Sequence, residues 1–313
     1  MPMAAWPNGE PVSAAPSVAL AVDSRCTHGE GVLWCERRQA VFWVDISGQR
    51  LWRHDPLDAL TRAWSLPDRP ACLGLMEDGR LLVVLAKSIA LADPDAPAGA
   101  LPLQTVCAVE ADQPHTRSND GRADRHGHFV FGTMDEHPDK AERGAFYQFS
   151  FAHGLRRLPL GGVSIPNSIC FSRDGRTLYY CDSLQPRILC CDYDPDRAWT
   201  ANPRVFAQVD VQGAEPDGSV IDAEGHLWNA QWRAGRVVRY APDGRIERIV
   251  PMPVKHPTCP AFGGPALGRL FAISSRLDHT TEELERTPHA GGLFACEPGV
   301  VGLPEGRVLS LIH

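Results

Sequence analysis

A six-bladed β-propeller is the all-β fold that this 313-residue sequence predicts. Three observations carry the prediction. A strand-turn-strand pattern is written six times along the chain. Its turn glycines, Gly79, Gly127, Gly175, Gly225 and Gly268, are spaced by 48, 48, 50 and 43 residues. The 28 glycines and 27 prolines fall at segment ends and are not massed, which suits many short strands joined by tight turns. A repeat of about 40 to 50 residues with three or four strands per unit is the mark of a propeller. A β-sandwich would show turn signals every 8 to 12 residues or so with no larger period.

The elements follow in order. Residues 1–16 are rich in Pro, Ala and Gly and are expected to form a flexible arm, with one propeller domain over 17–313. SVALAVD at 17–23 alternates apolar residues as a strand does, and is expected to pair with the final unit, together with GRVLSLIH at the C-terminus. The first unit, GEGVLWCERRQAVFWVDISGQRLWRHDP, has Arg38-Gln39 where the others carry a turn glycine. Units then recur near 73–94, 121–150, 168–195, 219–244 and 261–298. The aligned units share apolar residues before the glycine, a polar residue beside it and an aromatic or β-branched strand after it. TEELER at 281–286 has helix-forming residues and lies in an insertion of the last unit.

Composition excludes several classes. With 43% hydrophobic and 22% charged residues the chain can bury a sizeable core. A net charge of −7 with no basic run argues against a nucleic-acid partner, whose phosphates are bound by clustered Lys and Arg. Ten cysteines without a CxxC pair read as reduced thiols, the start has no signal-peptide pattern, and no stretch is long and apolar enough for a membrane span. The expectation is a cytoplasmic monomer or weak homo-oligomer, with no membrane partner. No GxSxG elbow or P-loop is written.

Candidate chemistry lies in one register of the repeat. Asn119, Asn167 and Asp217 each stand eight residues before a turn glycine, and the equivalent positions in the other units are Glu30, Ala71 and Thr258. Innermost strands of propeller blades line the central channel, so these positions converge around one axis. Any one Asn or Asp before glycine is explained by turn chemistry. Turns do not require the oxygen-bearing side chains to recur in register. Glu30, Asn119, Asn167 and Asp217 would offer two carboxylates and two amide oxygens, a hard-oxygen set suited to Ca²⁺, Mg²⁺ or Mn²⁺, with Zn²⁺ possible.

HGEGVLW with WVDI, RSNDGRAD with FGTM, IPNSICFS, EPDGSVIDAEGHLW and PTCPAFGG, in that order, resemble the gluconolactonase and regucalcin (senescence marker protein) family of metal-dependent sugar lactonases. The resemblance implies a six-bladed propeller holding one divalent cation, calcium before zinc, manganese or magnesium, on Glu30, Asn167 and Asp217. It implies a sugar-lactone substrate facing Arg117, Asn119 and Glu136. Lactone hydrolysis to the aldonic acid is the expected activity, with Asp217 as catalytic base or water-orienting group. A non-catalytic calcium-binding regulatory propeller is the alternative. The chain has His28 and Val32 where the family usually has Leu and Pro. Trp43, Trp228 and Phe131 are expected in the blade core, His115, His126, His128 and His153 in solvent, and Cys259 as the only cysteine near the mouth.

Overall fold

A computed structural model describes residues 16–310 as six antiparallel sheets arranged in a ring. The innermost strands are Gly29–Cys35, Pro70–Met76, Thr116–Ala123, Pro166–Phe171, Glu215–Ile221 and Pro257–Gly263, one per blade. Each pairs with the next strand in sequence, so every blade is a meander built outwards from the channel. Second strands such as Ala40–Asp45 are buried on both faces because a neighbouring blade covers each side, and they read as unbroken apolar runs. Outermost strands such as Leu60–Ser65 are largely solvated. Trp43, Trp228 and Phe131 are fully buried between blades, with Trp228 meeting Phe262 of the next blade edge-on at 5.7 Å between ring centroids.

The repeated turn needs a left-handed residue. Gly79, Gly127, Gly175 and Gly225 adopt φ of +97°, +97°, +69° and +84°, where a Cβ is disfavoured. In the first unit Gln39 takes that conformation at φ +49°. In the last unit Leu267, one residue before the aligned Gly268, takes it at +54°.

The ring closes with the N-terminal strand. Ala19–Val22 pairs antiparallel with Leu293–Cys296 and becomes the outer strand of the last blade, as its alternation led one to expect. The C-terminal segment behaves otherwise. Arg307–Val308 pairs parallel with Leu75–Met76 of the second blade, not with the last. On the way it crosses the lower face of the ring: Gly302 bridges to Asp222, the Arg125 guanidinium reaches the Pro304 carbonyl, and the Leu309 amide donates to Gly127. Residues 1–15 of the expected arm, and 311–313, lie outside the described residues. TEELER forms the one helix among the described residues, Thr281–Arg286. Thr280 caps it, accepting from the Glu283 amide while Glu283 reaches back to the Thr280 amide.

The crossing segment plugs the channel. Glu305 accepts from Arg122 of an innermost strand at 3.0 Å, both side chains nearly buried, beside a cavity of about 10 Å³, room for about one water. Breaking a buried ion pair from one side leaves an unpaired charge. Glu305→Ala is therefore expected to lower unfolding stability by about 3 kcal/mol. Urea titration with an unchanged slope checks this, and an unshifted midpoint would count against the plug.

Candidate metal and substrate site

Every innermost strand slips register at one place. The slips fall between Glu30 and Leu33, Pro70 and Cys72, Ser118 and Gly121, Asn167 and Cys170, Pro216 and Ser219, and Pro257 and Cys259. A β-bulge bends its strand and re-aims a side chain. These slips mark the ring Glu30, Ala71, Asn119, Asn167, Asp217 and Thr258. Asn119 and Asp217 lie within strands and are not turn residues.

Backbone strain accompanies the bulges. The residue after Glu30 is Gly31 at φ +58°, and the residue after Asn167 is Ser168 at +60°. A non-glycine residue held there costs about 1 kcal/mol or more. Hydrogen bonds secure it: Ser168 Oγ donates to the Asp217 carbonyl at 2.7 Å and accepts from Ser219 Oγ and Asn229 Nδ2 at 3.0 and 3.1 Å. Asn229 Nδ2 also donates to the Asp217 carbonyl at 2.9 Å. Two neighbouring bulges are thus locked to each other. Sequence reasoning missed Ser168 and Asn229, since neither belongs to the repeating register.

The ring side chains divide by what they have left to offer. Asn167 Nδ2 donates to Ser183 Oγ at 2.9 Å, which donates to the Pro216 carbonyl, so the amide is anchored through its nitrogen. Asn119 Nδ2 donates to the Pro166 carbonyl at 3.0 Å and approaches Asn167 Oδ1 at 3.4 Å, while Asn119 Oδ1 is taken by Arg117 Nη1 at 2.8 Å. Thr258 Oγ1 donates to the Gly29 carbonyl at 2.6 Å, tying the last blade to the first, and Ala71 has no polar side chain. Asp217 Oδ1 is buried with no hydrogen-bond partner among the described residues.

Electrostatics single out the same place. Burial, then the charges of Glu30 and Asp120, pushes the Asp217 carboxyl well above the usual carboxylate range. Glu30 is pushed up by burial and by Asp120. Asp120, another residue missed in the sequence, lies in the channel and accepts the Gly121 and Ile169 amides, each at 2.8 Å. Two buried carboxylates, an anchored amide oxygen and an orphaned Oδ1 form a donor set that fits a hard divalent cation. Glu30, Asn167 and Asp217 are the residues that could hold one.

A second ring lies one step towards the mouth. Side chains two residues apart on a strand share a face, so His28, Arg69, Arg117, Ile165, Glu215 and His256 stand above the six ring positions. Arg117 is buried and pulled down to about 10 by that burial, against the opposing pull of Glu136, so it stays cationic at neutral pH. Glu136 lies beside Arg117, and its carboxylate is not free. Arg69 grips it through both Nη atoms at 2.6 and 2.9 Å, and Arg117 Nε lies 3.5 Å away. Arg69 was legible only by counting back two residues from Ala71. Burial, with Arg117 and His256 nearby, pushes the His28 imidazole down to about 3, so the ring is neutral.

Other expectations need correction. Cys72 is carried inwards beside Cys259 by its own innermost strand, Cys181 of the second strand Thr177–Asp182 donates to the Pro216 carbonyl, and burial pushes all three thiols up. His115 and His153 are exposed, but His128 is not solvated: its Nδ1 lies 3.0 Å from Asp124, a fully buried carboxylate. His126 is half-buried, with an unpartnered Nε2. Asp135, His137 and Asp139 cluster on the rim, but Arg143 bridges the two carboxylates at 2.5 and 2.9 Å and already answers their charge.

The fold and site together define a six-bladed propeller with a buried, cation-seeking set of oxygen donors under a polar mouth. The chain belongs to the SMP-30/gluconolactonase/LRE-like family, whose model matches residues 28–276. It is 42% identical over 291 residues to the L-arabinolactonase of Azospirillum brasilense, covering 92% of this chain and 94% of that one. With the 6-deoxy-6-sulfogluconolactonase of Pseudomonas putida it shares 33% identity over 88% of this chain and 93% of that protein. The structure of regucalcin from Agrobacterium tumefaciens, a calcium-binding protein, superposes with a TM-score of 0.86 at 29% identity, over 94% of this chain and 97% of that one.

Asp217→Asn removes one of three buried carboxyls, the others being Glu30 and Asp120. In chelator the variant is expected to be more stable than the native protein by about 1 kcal/mol, the scale of one pKa unit. Added calcium or manganese should raise the melting temperature of the native protein only. Thermal denaturation decides it: a less stable variant in chelator, or equal gains from the ion, would refute the assignment of these carboxylates.

Proposed function

We propose that the protein hydrolyses a sugar lactone to its aldonic acid at this mouth. One observation carries the reading: Arg117, fixed by Asn119 Oδ1, holds its guanidinium above the oxygen set of Glu30, Asn167 and Asp217, in which Asp217 Oδ1 is left without a partner. An ion site alone has no use for a cation beside it, which disfavours a purely calcium-binding regulatory propeller. The relatives named L-arabinolactonase and 6-deoxy-6-sulfogluconolactonase support the same activity.

A divalent cation held by Glu30, Asn167 and Asp217, calcium being the first choice for an all-oxygen set, supplies electrophilic polarisation of the ester carbonyl. The remaining work falls to the chain itself. Ala71 and Thr258, which stand on either side of Glu30 in the ring, offer no free donor, so the oxygen set is incomplete and leaves room for a substrate oxygen from the mouth side. Arg117 directs its guanidinium at ring and hydroxyl oxygens, and Asn119 fixes that guanidinium through its own Oδ1. Asp217 Oδ1, unpaired and buried, would accept a proton from the water as its oxygen adds to the carbonyl carbon, and would return that proton to the ring oxygen as the acyl C–O bond breaks. Glu136, held by Arg69, lies within reach of a hydroxyl at the rim.

Asp217→Ala is expected to reduce kcat on five- and six-carbon aldonolactones by at least about a thousandfold, the scale of a lost base plus lost orientation. Its far-UV circular dichroism should be unchanged. Hydrolysis surviving in that variant, or surviving exhaustive chelation of the native protein, would overturn the proposal. Activity against a panel of lactones, followed by acid release in a pH-stat, measures both.

A further inference from the structure

Side chains of the second ring gather with their neighbours into two clusters. One is Arg69, Glu136 and Arg117, mutually paired. The other is His28, Trp232 and His256, whose rings are packed in series. Trp232 stacks on His256 with centroids 4.2 Å apart and planes within 10°, and His28 leans on Trp232 at 5.9 Å. His256 is itself fixed, because its Nδ1 lies 2.9 Å from the Leu277 carbonyl and the His279 ring backs it at 4.3 Å. The series is rigid from the back towards the mouth.

Its front member is different. Neither ring nitrogen of His28 has a hydrogen-bond partner among the described residues, and neither is sealed from solvent, since the residue is only half-buried. The backbone of His28 is pinned by Asp45, which accepts its amide at 3.0 Å, and by Ile46, which donates to its carbonyl at 2.9 Å. A fixed ring with two unused polar atoms, two residues above Glu30 and facing Arg117, is built to meet a ligand. Its two nitrogens offer one donor and one acceptor, which matches a hydroxyl better than a carbonyl or an ion.

Resting on the lactonase reading, we infer that His28, braced by Trp232 on His256, is a specificity residue that hydrogen-bonds a hydroxyl of the bound polyol on the side opposite Arg117. The substrate class is thereby narrowed to lactones carrying a free hydroxyl on that edge. Leucine at this position would fill the space and bind nothing polar.

The test uses the cation-loaded full-length protein and a five-carbon aldonate as probe. His28→Leu is expected to weaken aldonate binding about tenfold by calorimetry, the scale of one to two hydrogen bonds. KM for the parent lactone should rise in step, while kcat stays within about twofold and cation affinity is unchanged. His28→Gln, which keeps a donor and an acceptor, should recover most of the loss. In the native protein the ¹⁵N resonances of the His28 ring should shift on adding aldonate. Unmoved affinity in His28→Leu, a loss that tracks weaker cation binding, or unshifted ring resonances would each overturn the inference. Aldonate binding that depends on His28 without any lactone hydrolysis would sink the lactonase reading and leave this one standing. Hydrolysis insensitive to His28 would do the reverse.

Discussion

Two carboxylates, Glu30 and Asp217, are brought together in a buried channel with a third, Asp120, beneath them, and the surrounding structure exists to hold that unfavourable arrangement. Buried like charges repel strongly where little water screens them, and a protein left to relax would turn one outwards. Here none can turn. Each carboxylate is mounted on a bulge, and each bulge is wedged between two others by the closure of the ring. On the proposed reading, that repulsion is what a bound cation would relieve.

Closure and strain are therefore linked. The Ser168 hydroxyl, at a backbone conformation that disfavours a side chain, joins the Asn167 bulge to that of Asp217. Thr258 joins the last blade to the first at Gly29, the residue next to Glu30. Below, Arg122 and Glu305 seal the channel, so its carboxylates are reached from one end. On the proposed reading a cation and a substrate would meet in that one opening.

How much of this was legible in the sequence follows from what repeats. The blades and the ring positions recur six times and the turn glycine five, and a feature that recurs can be aligned. The membership of the ring, with Ala71 and Thr258 as poor ligands, came from the same register. The bulges did not, because one extra residue in a strand leaves the hydrophobic pattern almost unchanged on either side. The C-terminal crossing was misplaced because a two-residue parallel pairing carries no periodic signal and its partner, Leu75–Met76, is far away in the chain. Arg69 and Asp120 were missed for a third reason. Their partners, Glu136 and the Ile169 amide, come from other blades, and single-strand patterns say nothing about pairing across blades.

The two rings divide the labour along one physical property of a strand, its two-residue alternation. The residues proposed to hold a cation sit at the bulges, where the geometry is over-determined. Those proposed to face the substrate from the upper ring sit two positions higher, before the bulge. The departure at His28 falls on this upper ring, directly above Glu30. A propeller of this kind can exchange one polyol for another by changing its upper ring while the lower one stays as it is. The His28, Trp232 and His256 series is where this chain differs most in its chemistry from a merely apolar rim.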